Sequence, residues 1–220
     1  MSVRKATIAI ATGDPAGIGP EISLKTALDP AVRNACNPIL VGDASVIERH
    51  AEVCGIKAKL RAVTKIAAAE WQDDGVNILA CAQLDAATSP FGAANAASGR
   101  ASLAAAGAAI KAALAGDVDA VVAAPQNETS IALAGIPFDG HPSFVARETG
   151  TDPNDVFLML CFGSMKIVHT TLHQSVRDAL AAITRDRIAR VIRVTERTLK
   201  RMGIAAPNIA VSGLNPHAGE

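Results

Sequence analysis

Short, continuously apolar runs rich in β-branched residues alternate along this chain with longer stretches of helical periodicity. The runs fall at residues 7–11, 39–42, 76–79, 120–124, 156–160, 167–172 and 209–214. Strands buried on both faces of a parallel sheet read as unbroken apolar runs, whereas half-solvated strands alternate. The pattern therefore predicts an α/β fold of largely parallel sheets flanked by helices, joined by right-handed crossovers. Helices are expected at 18–28, 45–54, 98–115 and 185–202. Gly55, Gly116 and Gly203 are placed to end three of them, and Thr184 to cap the last. A buried strand ends near Pro125 and a more polar segment follows, which predicts two α/β domains, 1–125 and 126–220. The 86–92 segment reads as a loop, and no internal repeat is visible.

Composition removes several classes of function. The chain has 220 residues, half of them hydrophobic and 19% charged, which excludes long intrinsic disorder. Lys+Arg and Asp+Glu are equal at 21 each, so no global field points to nucleic acid or an acidic membrane. Five Phe, one Trp and no Tyr are too few for a base-stacking surface. Arg190, Arg193, Arg197 and Arg201 line one helix face, but Asp186 and Glu196 interrupt them, and the stripe reads as solvated. No apolar run approaches a membrane span, and the short run after Arg4 and Lys5 reads as a first strand rather than a leader. Cys36, Cys54, Cys81 and Cys161 form no CxxC pair and read as reduced, mostly buried thiols of a cytoplasmic protein.

In open parallel sheets ligands gather at the carboxyl ends of the strands. That rule selects segments 12–19, 125–129, 173–177 and 215–220. The first contains Gly17 and Gly19 but no third glycine, and lacks the Gly-Lys-Ser/Thr ending of a P-loop. By spacing alone it is either a structural turn or a ligand loop. Among the five histidines, His50 sits in a polar helical stretch with Glu48 and Arg49 and reads as surface. His169 and His173 are four apart. His173 and His217 each follow an expected strand, so they can meet at one sheet edge and bind a divalent metal, or be satisfied separately. His141 follows the Gly140 turn, where it can cap a helix or bond an anion. Arg177 can pair an anion or neutralise Asp178.

Three stretches carry a resemblance: Gly13-Asp14-Pro15-Ala16-Gly17-Ile18-Gly19-Pro20-Glu21, Ala134-Gly135-Ile136-Pro137-Phe138-Asp139-Gly140-His141 and Gly213-Leu214-Asn215-Pro216-His217-Ala218-Gly219-Glu220. With Thr170-Thr171-Leu172-His173 and Arg177-Asp178, they resemble, in order, the 4-hydroxythreonine-4-phosphate dehydrogenase (PdxA) family. The resemblance implies a two-domain architecture similar to isocitrate and isopropylmalate dehydrogenases, and an NAD-dependent enzyme of pyridoxal phosphate biosynthesis. It implies a homodimer whose active site is shared between subunits. It implies His173 and His217 as ligands of a divalent metal (Zn, Mg or Co), and His141 and Pro142 as substrate contacts.

Three departures qualify it. Pro142-Ser143 stands where the family usually has Thr, and Pro125-Gln126-Asn127-Glu128-Thr129 lacks the family's basic residue. Both features look more like a sister branch of dehydrogenases acting on carboxylated aromatic cis-dihydrodiols. Third, the family continues beyond the position of Glu220, and the further part would hold a third metal histidine and much of the NAD site. The expectation is thus a C-terminally truncated member. A non-catalytic remnant is the rival reading, and it predicts no NADH formation from any substrate.

Overall fold

The computed structural model describes residues 4–81, 84 and 90–218. It divides into two compact units, Met1–Phe138 and Asp139–Glu220. The first runs β1 (Ala6–Ala11), α1 (Gly19–Leu28), α2 (Pro30–Ala35), β2 (Cys36–Gly42), α3 (Ala44–Val53), β3 (Leu60–Val63), β4 (Val76–Ala80), α4 (Ala96–Leu114), β5 (Ala120–Ala123) and α5 (Glu128–Leu133). The five strands form one parallel sheet in the order β3-β4-β2-β1-β5. β1 lies inside it, with Ile10 opposite Leu40 on one side and Val122 on the other.

β1, β2 and β4 form where apolar runs are buried, whereas β5 is an apolar run left largely exposed at the sheet edge. Leu24 of α1 and Ile47 of α3 pack on Ile10, Leu40, Val76 and Ile78. Leu24, Ile39, Leu40, Ile47 and Ile78 are fully buried, each contributing about 1.5–3 kcal/mol. α3 and α4 start where side chains supply their first amides with acceptors. Asp43 Oδ1 accepts from Ser45 N at 2.9 Å, and Asn95 Oδ1 from Ser98 N at 2.8 Å. The 86–92 loop expectation falls largely on residues 85–89, outside the described set.

An exposed charge cluster joins β3 to the start of β4. The Asp73 carboxylate accepts from Lys59 Nζ at 2.8 Å, from the Gly75 amide at 2.9 Å and from Arg61 at 2.8 Å. These bonds, Lys59 first, hold its carboxyl well below the usual carboxylate range. A carboxyl whose folded pKa is depressed stabilises the fold above its unfolded pKa, and that contribution is lost as pH falls toward the folded value. Asp73→Asn should therefore lower the urea midpoint at pH 7. The gap to wild type should narrow as pH drops from about 5 toward 2; a gap independent of pH would show that the ion pairs contribute nothing.

The second unit runs α6 (His141–Thr149), β6 (Met159–Phe162), β7 (Met165–Val168), α7 (Val176–Ala182) and α8 (Arg185–Arg201). Here the structure departs from the pattern. The expected strands at 156–160 and 167–172 shift to β6 and β7, which pair antiparallel as a hairpin, Phe162 opposite Met165. Only Gly163 and Ser164 separate them, and a two-residue link cannot carry a parallel crossover. Segment 209–214 joins no ladder among the described residues. α8 matches its expectation, with Thr184 Oγ1 accepting from Arg187 N at 3.2 Å and Gly203 at φ 90° beyond its end. No helix among the described residues is long and apolar enough to cross a membrane. The cysteines are unbridged, but Cys54 and Cys161 are exposed and the other two half-buried, so the expectation of mostly buried thiols fails.

Candidate active site

In the first unit the loop after β1 is locked to its neighbours. Asp14 is buried; its backbone amide donates to Pro125 O at 3.0 Å. Its carboxylate accepts from Ala16 N at 2.9 Å and from Ser130 Oγ at 3.3 Å. Gly13 adopts φ 71°, and a Cβ there would stand 2.2 Å from Pro125 O, so glycine is required. Between the two readings left open by spacing, the geometry supports a structural turn that fixes the loop after β1 against the one after β5.

His50 corrects the surface expectation. It is buried, its Nε2–H donates to Pro15 O at 2.9 Å, and its ring centroid lies 4.5 Å from that of Phe91. On α3 the buried positions are Val46, Ile47, His50 and Ala51, one helical face, so periodicity outweighs the charged neighbours Glu48 and Arg49.

In the second unit a cavity of about 650 Å³ is lined by Asp139, Pro142, Ser143, His173, Gln174 and Arg187, among others. Gly140, at φ 98°, turns the chain into α6. A Cβ on Gly140 would stand 3.4 Å from His173 Cδ2 and 3.5 Å from its Nε2, so the imidazole edge of His173 lies against the turn that precedes His141. His141 is the first residue of α6, and burial pushes its pKa below the ordinary value, leaving it neutral at pH 7. Burial pushes the Asp139 carboxyl up, but hydrogen bonds from Ser143 and Arg147 outweigh it and hold it below its ordinary value.

The structure thus brings His173 and Pro142 to one cavity, with His141 beside it. His217 lies on an exposed turn, its amide donating to Asn215 Oδ1 at 3.0 Å, and it is not among the cavity's lining residues. Its motif ends in Gly219 and Glu220, outside the described residues. Among the described residues no three His, Cys, Asp or Glu side chains converge on a point that could hold a metal. His173 offers a single exposed imidazole, which does not enclose an ion by itself.

Asp178 is occupied by Ser175, which donates to its carboxylate at 2.6 Å and caps α7. Arg187 and Arg190 reach the cavity wall, which the stripe reading did not foresee. Arg190 pairs Asp155 at 2.6 Å and Asp152 at 2.5 Å, and the Arg187 guanidinium lies 4.6 Å over the Phe157 ring. Their membership of this wall depends on α8 packing beside 152–157, which no local motif announces.

The family model described as pyridoxal phosphate biosynthetic protein PdxA matches residues 34–220. The chain belongs to the PdxA family. Within it, D-threonate 4-phosphate dehydrogenase of Cupriavidus necator is 34% identical, over 100% of this chain and 65% of that protein. Of solved structures, 4-hydroxythreonine-4-phosphate dehydrogenase of Klebsiella pneumoniae is 34% identical with a TM-score of 0.88, over 97% of this chain and 65% of that one. A terephthalate 1,2-cis-dihydrodiol dehydrogenase of Burkholderia xenovorans is 41% identical with a TM-score of 0.66, over 98% and 64%. This PdxA-family chain spans about 65% of the length of the relatives it matches.

Proposed function

We propose that the chain serves an NAD-dependent dehydrogenase that oxidises 4-phosphohydroxy-L-threonine in pyridoxal phosphate biosynthesis. The observation that carries the reading is His173, held against the Gly140–His141 turn at the wall of a cavity large enough for a small hydroxy acid. In the proposed reaction the carbinol C–H bond breaks and its hydride reduces NAD⁺. The hydroxyl proton leaves to a base, and the resulting β-keto acid loses CO₂. A divalent metal, when bound, would supply Lewis-acid polarisation of the hydroxyl. His173 and His217 are the proposed ligands from this chain. Two imidazoles fall short of the three or more protein ligands usual for zinc, so the remaining positions go to a second copy of the chain, to water or to substrate. Neutral His141 acts as a hydrogen-bonding partner of the substrate, with Pro142 in contact beside it. The same reading includes a cytoplasmic homodimer with a shared site.

A second reading, oxidation of a carboxylated aromatic cis-dihydrodiol, draws support from Pro142-Ser143 and from the 41% identity to the Burkholderia xenovorans enzyme. Both substrates lead to a β-keto acid, so the chemistry is shared and the substrate differs. NADH formation measured with each substrate, with and without added Zn²⁺, Mg²⁺ or Co²⁺, separates them. The first reading expects turnover of the phosphorylated hydroxythreonine. Turnover of the dihydrodiol alone favours the second, and NADH from neither, whatever the metal, leaves the non-catalytic remnant.

A further inference from the structure

We propose that Gln126 is a specificity-determining residue whose carboxamide reads a planar donor–acceptor group on a bound molecule. The group is either the carboxamide of a nicotinamide ring or the hydroxy-carboxylate of an acid substrate. Both the Nε2 and Oε1 atoms of Gln126 are shut off from solvent, and neither has a hydrogen-bond partner among the described residues. A buried amide left unpaired is destabilising, and native folds rarely keep one without a use. Three neighbours of Gln126 are engaged. Pro125 O accepts from the Asp14 amide at 3.0 Å, Asn127 Oδ1 caps α5 through Ser130 N at 3.0 Å, and Ser130 Oγ donates to Asp14. Gln126 thus keeps a donor group and an acceptor that are shut off from solvent and unspent among the described residues.

Its place in the fold gives that capacity a direction. It follows β5, whose carboxyl end lies beside that of β1, with Ala11 opposite Ala123. The connection from β1 leads toward β2 on one side of the sheet, while β5 stands on the other. Adjacent strand ends whose connections diverge form the crevice where open parallel sheets take ligands. The backbone there is already fixed by the bonds between the two loops, so the amide is presented without further ordering. A carboxamide offers N–H and C=O side by side. It therefore matches a second carboxamide, or a carboxylate that accepts beside a hydroxyl that donates.

This inference rests on the dehydrogenase reading for the two sources it names, and the test separates their failures. The affinities of NAD⁺ and of 4-phosphohydroxy-L-threonine or the terephthalate cis-dihydrodiol, each alone, would be measured by calorimetry. The proteins are wild type, Gln126→Leu and Gln126→Glu. Thermal melting of each free protein reports folding. Leu should weaken one ligand by tenfold or more, leave the other within twofold, and leave the melting temperature unchanged or raised. Loss for NAD⁺ identifies the nicotinamide amide as the partner, and loss for the acid identifies the hydroxy-carboxylate. Glu, which keeps the shape but loses the N–H donor, should weaken the same ligand. If wild type binds a ligand and both variants bind it equally well, Gln126 reads nothing. A lowered melting temperature with unchanged affinity would make it a structural residue. If wild type binds none of the probes, the dehydrogenase reading fails and takes this assignment with it.

Discussion

Replacing His173 with Ala should lower kcat/KM by more than about 100-fold, beyond the 10–100-fold range typical of groups that only support metal ligands. The residue is exposed at the cavity wall, and its imidazole edge rests on the Gly140 turn rather than in the core. Truncation there removes the proposed nitrogen ligand without opening a packed interior. The stability change should stay within about 0.5 kcal/mol. Excess metal should restore part of the activity if affinity is what is lost. The paired measurement is steady-state kinetics against metal concentration, with a thermal melt of the same sample. Near-normal activity at low metal would remove His173 from the site, and a large drop in melting temperature would make it a structural histidine.

Gly99→Ala sets two principles against each other. In a helix interior Ala is favoured over Gly by about 0.8–1 kcal/mol, which predicts a gain. Yet a Cβ on Gly99 would stand 2.1 Å from Ser130 O and 2.4 Å from Ser130 C, so α5 backbone must shift. Overpacking of that kind costs about 3 kcal/mol, which outweighs the propensity gain and should leave a net loss of about 2 kcal/mol. Ser130 also donates to Asp14 and accepts from the Asn95 amide at 3.2 Å, so its displacement would loosen the loop after β1 as well. A thermal or urea melt decides the sign. A variant as stable as wild type would mean that α4 and α5 can separate freely.

Much of the first unit is legible in the sequence, for a stated physical reason. β1, β2 and β4 are buried along most of their length and so appear as unbroken apolar runs, whereas β5 is an apolar run that stays a largely exposed edge strand. β3 escapes that rule because it is a four-residue edge strand with Arg61 in its middle. The hairpin is misread because apolar runs report burial and say nothing of strand direction; the Gly163-Ser164 link carries that information. His50 is recoverable from helical spacing, which places it with Val46, Ile47 and Ala51. His141, Pro142 and His173 are singled out by motifs, and the structure places them at or beside one cavity. Arg187 and Asp139 meet at one wall only once α6 and α8 are folded beside 152–157, a relation across about 50 residues that no local pattern holds.

The interior place of β1 has a consequence for synthesis. Its first partner, β2, leaves the ribosome soon after it, but β5 ends about 80 residues beyond β2. At ~5–20 residues per second, that open edge waits roughly 4–16 s for its second neighbour. During that interval the nascent chain shows an apolar strand edge able to pair with another chain. Slowed translation between residues 43 and 119 would lengthen the exposure, so aggregation of newly made protein should track the speed of that stretch rather than the stability of the finished fold.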